Sequence, residues 1–116
     1  MFSLGSGQTD SALVSKFPVE GIEFKLNTIS GIVTDSTNGQ PVEEAYVNIF
    51  TGNKILKHTL LTDENGYFSQ DNIGYLWKPK IQFLIDNYKK KSFRLDPELL
   101  DGSDNIRVNC KIVPLP

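Results

Sequence analysis

Ile106-Arg107-Val108-Asn109-Cys110-Lys111-Ile112-Val113 is the clearest period-2 run in the chain. Ile106, Val108, Cys110 and Ile112 alternate with Arg107, Asn109, Lys111 and Val113. Successive strand side chains point to opposite faces, so this pattern predicts a strand with its first set buried. Working back from it, the same period recurs. Ile81, Phe83 and Ile85 alternate with Gln82, Leu84 and Asp86, and Ala45, Val47 and Ile49 alternate with Tyr46, Asn48 and Phe50. Ile22, Phe24 and Leu26 form another set, and Ile29, Gly31 and Val33 follow out of phase with it. That flip predicts a bulge or break near Asn27-Thr28. Lys54 to Thr62, Tyr67 to Ser69 and Tyr88 to Leu95 are read as further strands.

The segments between them carry turn chemistry. Asp35-Ser36-Thr37-Asn38-Gly39-Gln40-Pro41 ends in a residue that cannot donate to a sheet ladder. Thr51-Gly52-Asn53 and Asp63-Glu64-Asn65-Gly66 are tight turns, and Asp71 to Lys80 is read as a loop. Asp96 to Leu100 is expected to make one short helical turn, with Pro97 at its first position. No apolar 3.6 period persists for the ~11 residues of an average helix. Short strands separated by turns predict an all-β sandwich.

With 116 residues, the chain can build one core, so a single domain is assigned to 21–116. The Gly- and Ser-rich segment 1–20 is read as a flexible leader or linker. It lacks the apolar stretch of a signal peptide, so the cytoplasm stays open as a compartment. The 14 acidic and 12 basic residues give a net charge of -2, without the global field of a nucleic-acid binder. One cysteine and one histidine exclude an intrachain disulfide, a cysteine zinc cluster and any site needing two imidazoles. No window approaches a membrane span.

Three blocks occur in order: Ile29-Ser30-Gly31-Ile32-Val33-Thr34-Asp35, then Gly39-Gln40-Pro41-Val42-Glu43-Glu44-Ala45-Tyr46-Val47, then Thr62-Asp63-Glu64-Asn65-Gly66-Tyr67-Phe68. Together they resemble the carboxypeptidase regulatory-like family, with its I-x-G-x-V-x-D, G-x-P-V/L-x-x-A-x-V and T-D-x-x-G-x-F motifs. Ile85-Asp86-Asn87-Tyr88-Lys89 is similar to a later family segment, but has Asn87 where glycine is common. The resemblance implies a transthyretin-like (prealbumin-like, Ig-like) Greek-key sandwich of about seven strands. It also implies a non-catalytic accessory module of secreted, periplasmic or outer-membrane proteins. Gly31, Asp35, Gly39, Pro41, Asp63, Gly66 and Phe68 are the residues expected to specify this fold.

Little is left for chemistry. His58 is expected on a solvated face, if Ile55 and Leu61 point inward. Cys110 is in phase with the core and reads as a small buried hydrophobe. Asp63 to Gly66 with Asp71 offers oxygen ligands but lacks the spacing of a calcium loop. Neither a catalytic residue, a cofactor nor a metal site is expected. Gly74 to Lys80 carries the one tryptophan, and Tyr75, Trp77 and Lys78 are the candidate contact residues for a protein partner or, alternatively, a glycan. The alternative reading has Trp77 capping one open end of the sandwich. Lys78, Lys80, Lys89, Lys90, Lys91 and Arg94 form a basic set whose default role is to guard exposed strand edges. The expected function is protein–protein contact or structural spacing in an envelope or secreted assembly.

Overall fold

The period-2 segments become strands paired into two facing sheets and one ribbon. The computed structural model describes residues 23–52 and 54–116; the leader at 1–20, Ile22 and Asn53 lie outside the described residues. The strands are β1 (Glu23–Leu26), β2 (Thr28–Asp35), β3 (Tyr46–Thr51), β4 (Ile55–Leu61), β5 (Tyr67–Gln70), β6 (Gly74–Trp77), β7 (Lys80–Leu84), β8 (Lys91–Arg94), β9 (Asn105–Arg107) and β10 (Cys110–Ile112). The expected helical turn is a single 3-10 turn, Pro97–Leu99.

One sheet is antiparallel with strand order β4-β3-β7-β8. In the other, β2 pairs antiparallel with β5 along one edge and parallel with β9 and β10 along the opposite edge. The inner faces meet in one core that includes Ile29, Val33, Val47, Ile49, Ile81, Ile106 and Ile112. Phe68 of β5 meets Phe83 of β7 edge-to-face, with ring centroids 5.8 Å apart, and so joins the sheets. This is an all-β, Ig-like sandwich.

Both irregularities in the phase of the sequence have a structural cause. At Asn27 the chain leaves the β1-β6 ribbon for the sheet that contains β2. The Asn27 N–H donates to the Asp104 carbonyl (2.7 Å), and its own carbonyl accepts from Ile73 N–H (3.2 Å). The closing run Ile106 to Ile112 keeps all four of its expected positions buried but splits into β9 and β10. Val108 N–H still reaches the Ser30 carbonyl (2.8 Å), after which the Asn109 side-chain oxygen accepts from Ile32 N–H (3.2 Å). The side chain thus takes the place of a main-chain acceptor at a bulge.

The seven fold-specifying residues have concrete tasks. A Cβ on Gly31 would overlap the Val108 carbonyl oxygen and stand 2.9 Å from Phe68 Cζ. Gly66 (φ 73) lies against the Val33 carbonyl, where a side chain would overlap backbone. Asp35 accepts from Thr37 N–H (2.7 Å) and opens the turn that Gly39 (φ 74) continues. Pro41 bridges to Thr34, and Asp63 accepts from Asn65 and Tyr67 N–H (2.8 and 3.0 Å). Thr62 is also buried, which composition alone does not suggest. Its hydroxyl accepts from Ala45 N–H (2.9 Å) and donates to the Val42 carbonyl (2.6 Å).

One assignment is corrected. Gly74 to Trp77 is strand β6 rather than loop, paired antiparallel with β1. It has only one buried core position, Leu76, too little to display a period, and its partner lies about fifty residues earlier.

Candidate contact surface

The outward side chains of the β4-β3-β7-β8 sheet fall into rows fixed by the strand registers. One row is Leu61, Tyr46 and Leu84; the next is Thr59, Asn48, Gln82 and Ser92; the third is Leu56, Phe50, Lys80 and Arg94. The middle row is tied across strands, Thr59 Oγ1 donating to Asn48 Oδ1 (2.9 Å) and Asn48 Nδ2 to Gln82 Oε1 (3.2 Å). Cross-strand bonds of this kind fix side-chain orientation on a solvated face. On either side of it lie exposed large apolar groups: Tyr46, Leu61 and Leu56 are each more than half exposed.

Charged groups flank both ends of this face, and exposed Lys89, Lys90 and Lys91 lie at the Leu84 end, where β7 turns into β8. The Leu61-Tyr46-Leu84 end opens into a groove lined also by Ile85 and by the carboxylates Glu43, Glu44 and Asp86. The opposite end is cationic. Lys80 Nζ stands 5.4 Å from the centroid of the Phe50 ring, a cation–π contact, with Arg94 beside it across the ladder. Glu44 (φ 63) and Lys78 (φ 46) occupy the left-handed region, where side chains are disfavoured.

β4 is one edge strand of the sheet, and β8 is the other. Between Ile49/His58 and Phe50/Leu56 the register slips, leaving Lys57 as an extra bulged residue. The face assignment for this strand is corrected as a result. His58 pairs with buried Ile49 and so turns inward, half-buried, whereas Ile55 (62% exposed) and Leu61 (54% exposed) are at the surface. Leu60, opposite Val47, is the β4 residue that packs on the core.

Tyr75 and Trp77 lie two residues apart on the exposed side of β6, 66% and 49% exposed. Trp77 is pinned at its backbone: its N–H donates to Thr51 Oγ1 (2.7 Å), and its carbonyl accepts from Gly52 N–H (2.6 Å). Lys78 Nζ stands 5.0 Å from the Trp77 ring centroid, and a Cβ on Gly52 would come within 3.3 Å of Trp77 Cε3. The strand therefore brings the three candidate contact residues together, with the indole already contacted by a lysine and a glycine.

Cys110 is buried, and desolvation pushes its thiol above the ordinary value, with nearby Lys91 acting weakly the other way. Among the described residues, no three His, Cys, Asp or Glu side chains gather as a metal site, and no helix is long and apolar enough to cross a membrane. Lys25 sits on β1 opposite Tyr75, while Asn109 is engaged with Ile32 N–H.

No family profile matches the chain, and no curated protein matches it either. Solved structures share the fold. A variant of BcpA, the major pilin subunit of Bacillus cereus, superposes with a TM-score of 0.55 at 14% identity over 76% of this chain and 30% of that one. The pilus 2b backbone protein of group B streptococcus does so at 0.51 and 9%, over 78% and 42%. The 3-chlorocatechol 1,2-dioxygenase of Rhodococcus opacus does so at 0.56 and 13%, over 84% and 63%. The chain thus spans between about a third and somewhat under two thirds of these proteins' lengths, and at such identities the likeness is one of fold.

Proposed function

We propose that this chain is a non-catalytic β-sandwich module, of the carboxypeptidase regulatory-like kind, that makes protein–protein contacts in a cell-surface or envelope assembly. The observation that carries the proposal is the outer face of the β4-β3-β7-β8 sheet, with Tyr46, Leu56 and Leu61 exposed together beside a free strand edge. Exposed large apolar side chains bordered by charged groups, here on either side of a polar row, are a usual mark of a docking site. The family reading draws support from the tasks of Gly31, Asp35 and Gly66, which stand at its motif positions, whereas Asn87 departs from the glycine common there. Two pilus building blocks among the proteins sharing the fold agree with a structural role in an assembly. The half-buried His58 and the buried Cys110, whose thiol desolvation holds protonated, support the non-catalytic reading.

The test is site-specific photo-crosslinking in the cells that make the protein. A benzophenone side chain at Leu56 or Tyr46 is expected to give discrete protein adducts, and one at exposed Arg107 on the other sheet is expected to give none. Equal, diffuse labelling at all three would overturn the reading. Glycan binding is the second reading, favoured by the shared exposed side of Tyr75 and Trp77. It predicts a saturable change in Trp77 fluorescence with a glycan panel, whereas the contact-module reading predicts a flat response.

A further inference from the structure

We propose that Asn38 is a site of spontaneous modification, its side-chain amide closing on the Gly39 nitrogen and reopening as an aspartyl or isoaspartyl residue. This goes beyond the contact-module reading and does not depend on it. The sequence holds the pair Asn-Gly twice, at Asn38-Gly39 and at Asn65-Gly66. A glycine leaves the attacking nitrogen unhindered, so as dipeptides the two are equivalent. The fold makes them different. Both asparagines are exposed, and in both turns the glycine N–H donates to a carbonyl, Gly39 to Asp35 (2.8 Å) and Gly66 to Asp63 (2.9 Å). What separates the two sites is the polarisation of the amide carbonyl and the room for a ring to close.

At Asn38 the side-chain Oδ1 accepts from the Gln40 N–H (2.9 Å). That donor withdraws electrons from Cγ and already faces the oxygen on which negative charge collects as the Gly39 nitrogen attacks. At Asn65 the corresponding N–H, that of Tyr67, is engaged by Asp63 Oδ1 (3.0 Å). Room divides the sites in the same way. Around Gly39 (φ 74) a Cβ would meet nothing within 4 Å. Gly66 is buried, and a Cβ there would overlap the Val33 carbonyl and stand 3.2 Å from both Pro41 Cβ and Val42 N. The backbone at Gly39 is free to turn towards Cγ, and that at Gly66 is held.

In the first step the Gly39 nitrogen gives its proton to hydroxide and forms a bond to Asn38 Cγ. The Cγ–Nδ2 bond breaks, and Nδ2 leaves as ammonia with a proton from water, closing a five-membered succinimide. Water then adds to one of the two ring carbonyls. Opening at Cγ gives aspartate. Opening at the Asn38 main-chain carbonyl leaves Gly39 joined through Cγ, an isoaspartate with one more carbon in the backbone. Either product places a new carboxylate in the turn that Asp35 opens. There Gly39 N–H donates to the Asp35 carbonyl and Asp35 N–H to the Gln40 carbonyl (2.9 Å), and the extra carbon of isoaspartate falls inside the loop these bonds close.

The experiment is timed incubation of the full chain in mildly alkaline buffer, folded and in concentrated guanidinium chloride. Tryptic peptide mapping follows, with fragmentation that separates aspartate from isoaspartate. In denaturant the two asparagines are expected to convert at like rates, because only the following glycine then acts. In the folded chain Asn38 is expected to convert at least about tenfold faster than Asn65, the scale of one preorganised donor at a developing oxyanion. Equal rates in the folded chain, or an Asn38 that stays intact there while converting in denaturant, would overturn the proposal. A tenfold difference that persists in denaturant would overturn it too, since the fold would then not be its cause. Asn38→Ser keeps an oxygen acceptor for the Gln40 N–H but has no amide to lose. It is expected to abolish the acidic form that the aged parent develops on ion exchange, and an undiminished acidic form would remove Asn38 as its source.

Discussion

Gly31 shows how much of this fold rests on one missing side chain. The Val108 carbonyl passes over it, in the place a Cβ would take, and Phe68 Cζ stands 2.9 Å from the same place. Gly31→Ala is expected to cost at least ~2 kcal/mol, as overpacking against fixed backbone does. Gly102→Ala, at a site with open space, should stay within ~0.5 kcal/mol of the parent. Urea denaturation of the two variants measures both, and equal midpoints would remove Gly31 from the list of fold-determining residues. Sequence reading marks Gly31 as a fold-specifying position, a glycine inside a strand meaning a close backbone approach or a bulge. It could not reach Val108, which lies 77 positions away and meets Gly31 only through a parallel pairing. Asn87 is the complementary case. At φ 73 it holds a backbone conformation that glycine adopts most readily and asparagine next.

At the scale of the element, β4 is where sequence reading failed, and the reason is a single residue. In a regular strand Ile55 and Leu61 share a face, and both are apolar, so they were expected inside with His58 outside. The bulge at Lys57 breaks that parity, and pairing with Val47 and Ile49 turns Leu60 and His58 inward instead. Leu56 and Leu61 mislead because, opposite Phe50 and Tyr46, they lie on the outer face, and Ile55 because it sits at the exposed end of the strand. β6 was missed for another reason, being short and half-exposed with a distant partner. The strands that sequence did reveal, β2, β3, β7 and the closing run, are those whose buried set is continuous. The bulge has a further consequence. An exposed apolar edge strand is a template for aggregation, and an extra residue twists it away from flat pairing while Lys57 adds a charge. Deleting Lys57 would bring His58, Leu56 and Ile55 into an unbroken ladder against Ile49, Phe50 and Thr51. That variant is expected to keep the fold by circular dichroism and to aggregate faster on gentle heating, followed by light scattering. Unchanged aggregation would mean that the edge is protected by something other than the bulge.

Across the whole molecule, one polar pair ties the beginning of the sandwich to its end. Asp35 closes β2, and its Oδ2 accepts from the Tyr88 hydroxyl (2.7 Å). The turn carrying Tyr88 in turn holds the last residues, through Lys89 N–H to the Val113 carbonyl (2.8 Å) and Leu115 N–H to the Asn87 carbonyl (2.8 Å). Hydrogen bonds from Thr37 and Tyr88 favour the ionised carboxylate and hold Asp35 down at about 2, from an ordinary 3.8. The same contact raises Tyr88 above its ordinary 10.0, since a phenolate beside a carboxylate is disfavoured. As pH falls from about 4 towards about 2, the unfolded chain takes up its proton at Asp35 before the folded one does, so stability present above pH ~4 is lost across that window. At the alkaline side, the unfolded chain loses the Tyr88 proton first, so stability also declines above pH ~10. Tyr88→Phe removes one of the two side-chain donors to Asp35 and lets its pKa move back upward. Its unfolding midpoint in urea is therefore expected to be lower than the parent's at neutral pH, and to fall less steeply between pH ~4 and ~2. The alkaline loss that belongs to Tyr88 should vanish with it. Parallel acid limbs in the two proteins would mean that Thr37 and the turn, and not the link to Tyr88, keep Asp35 ionised.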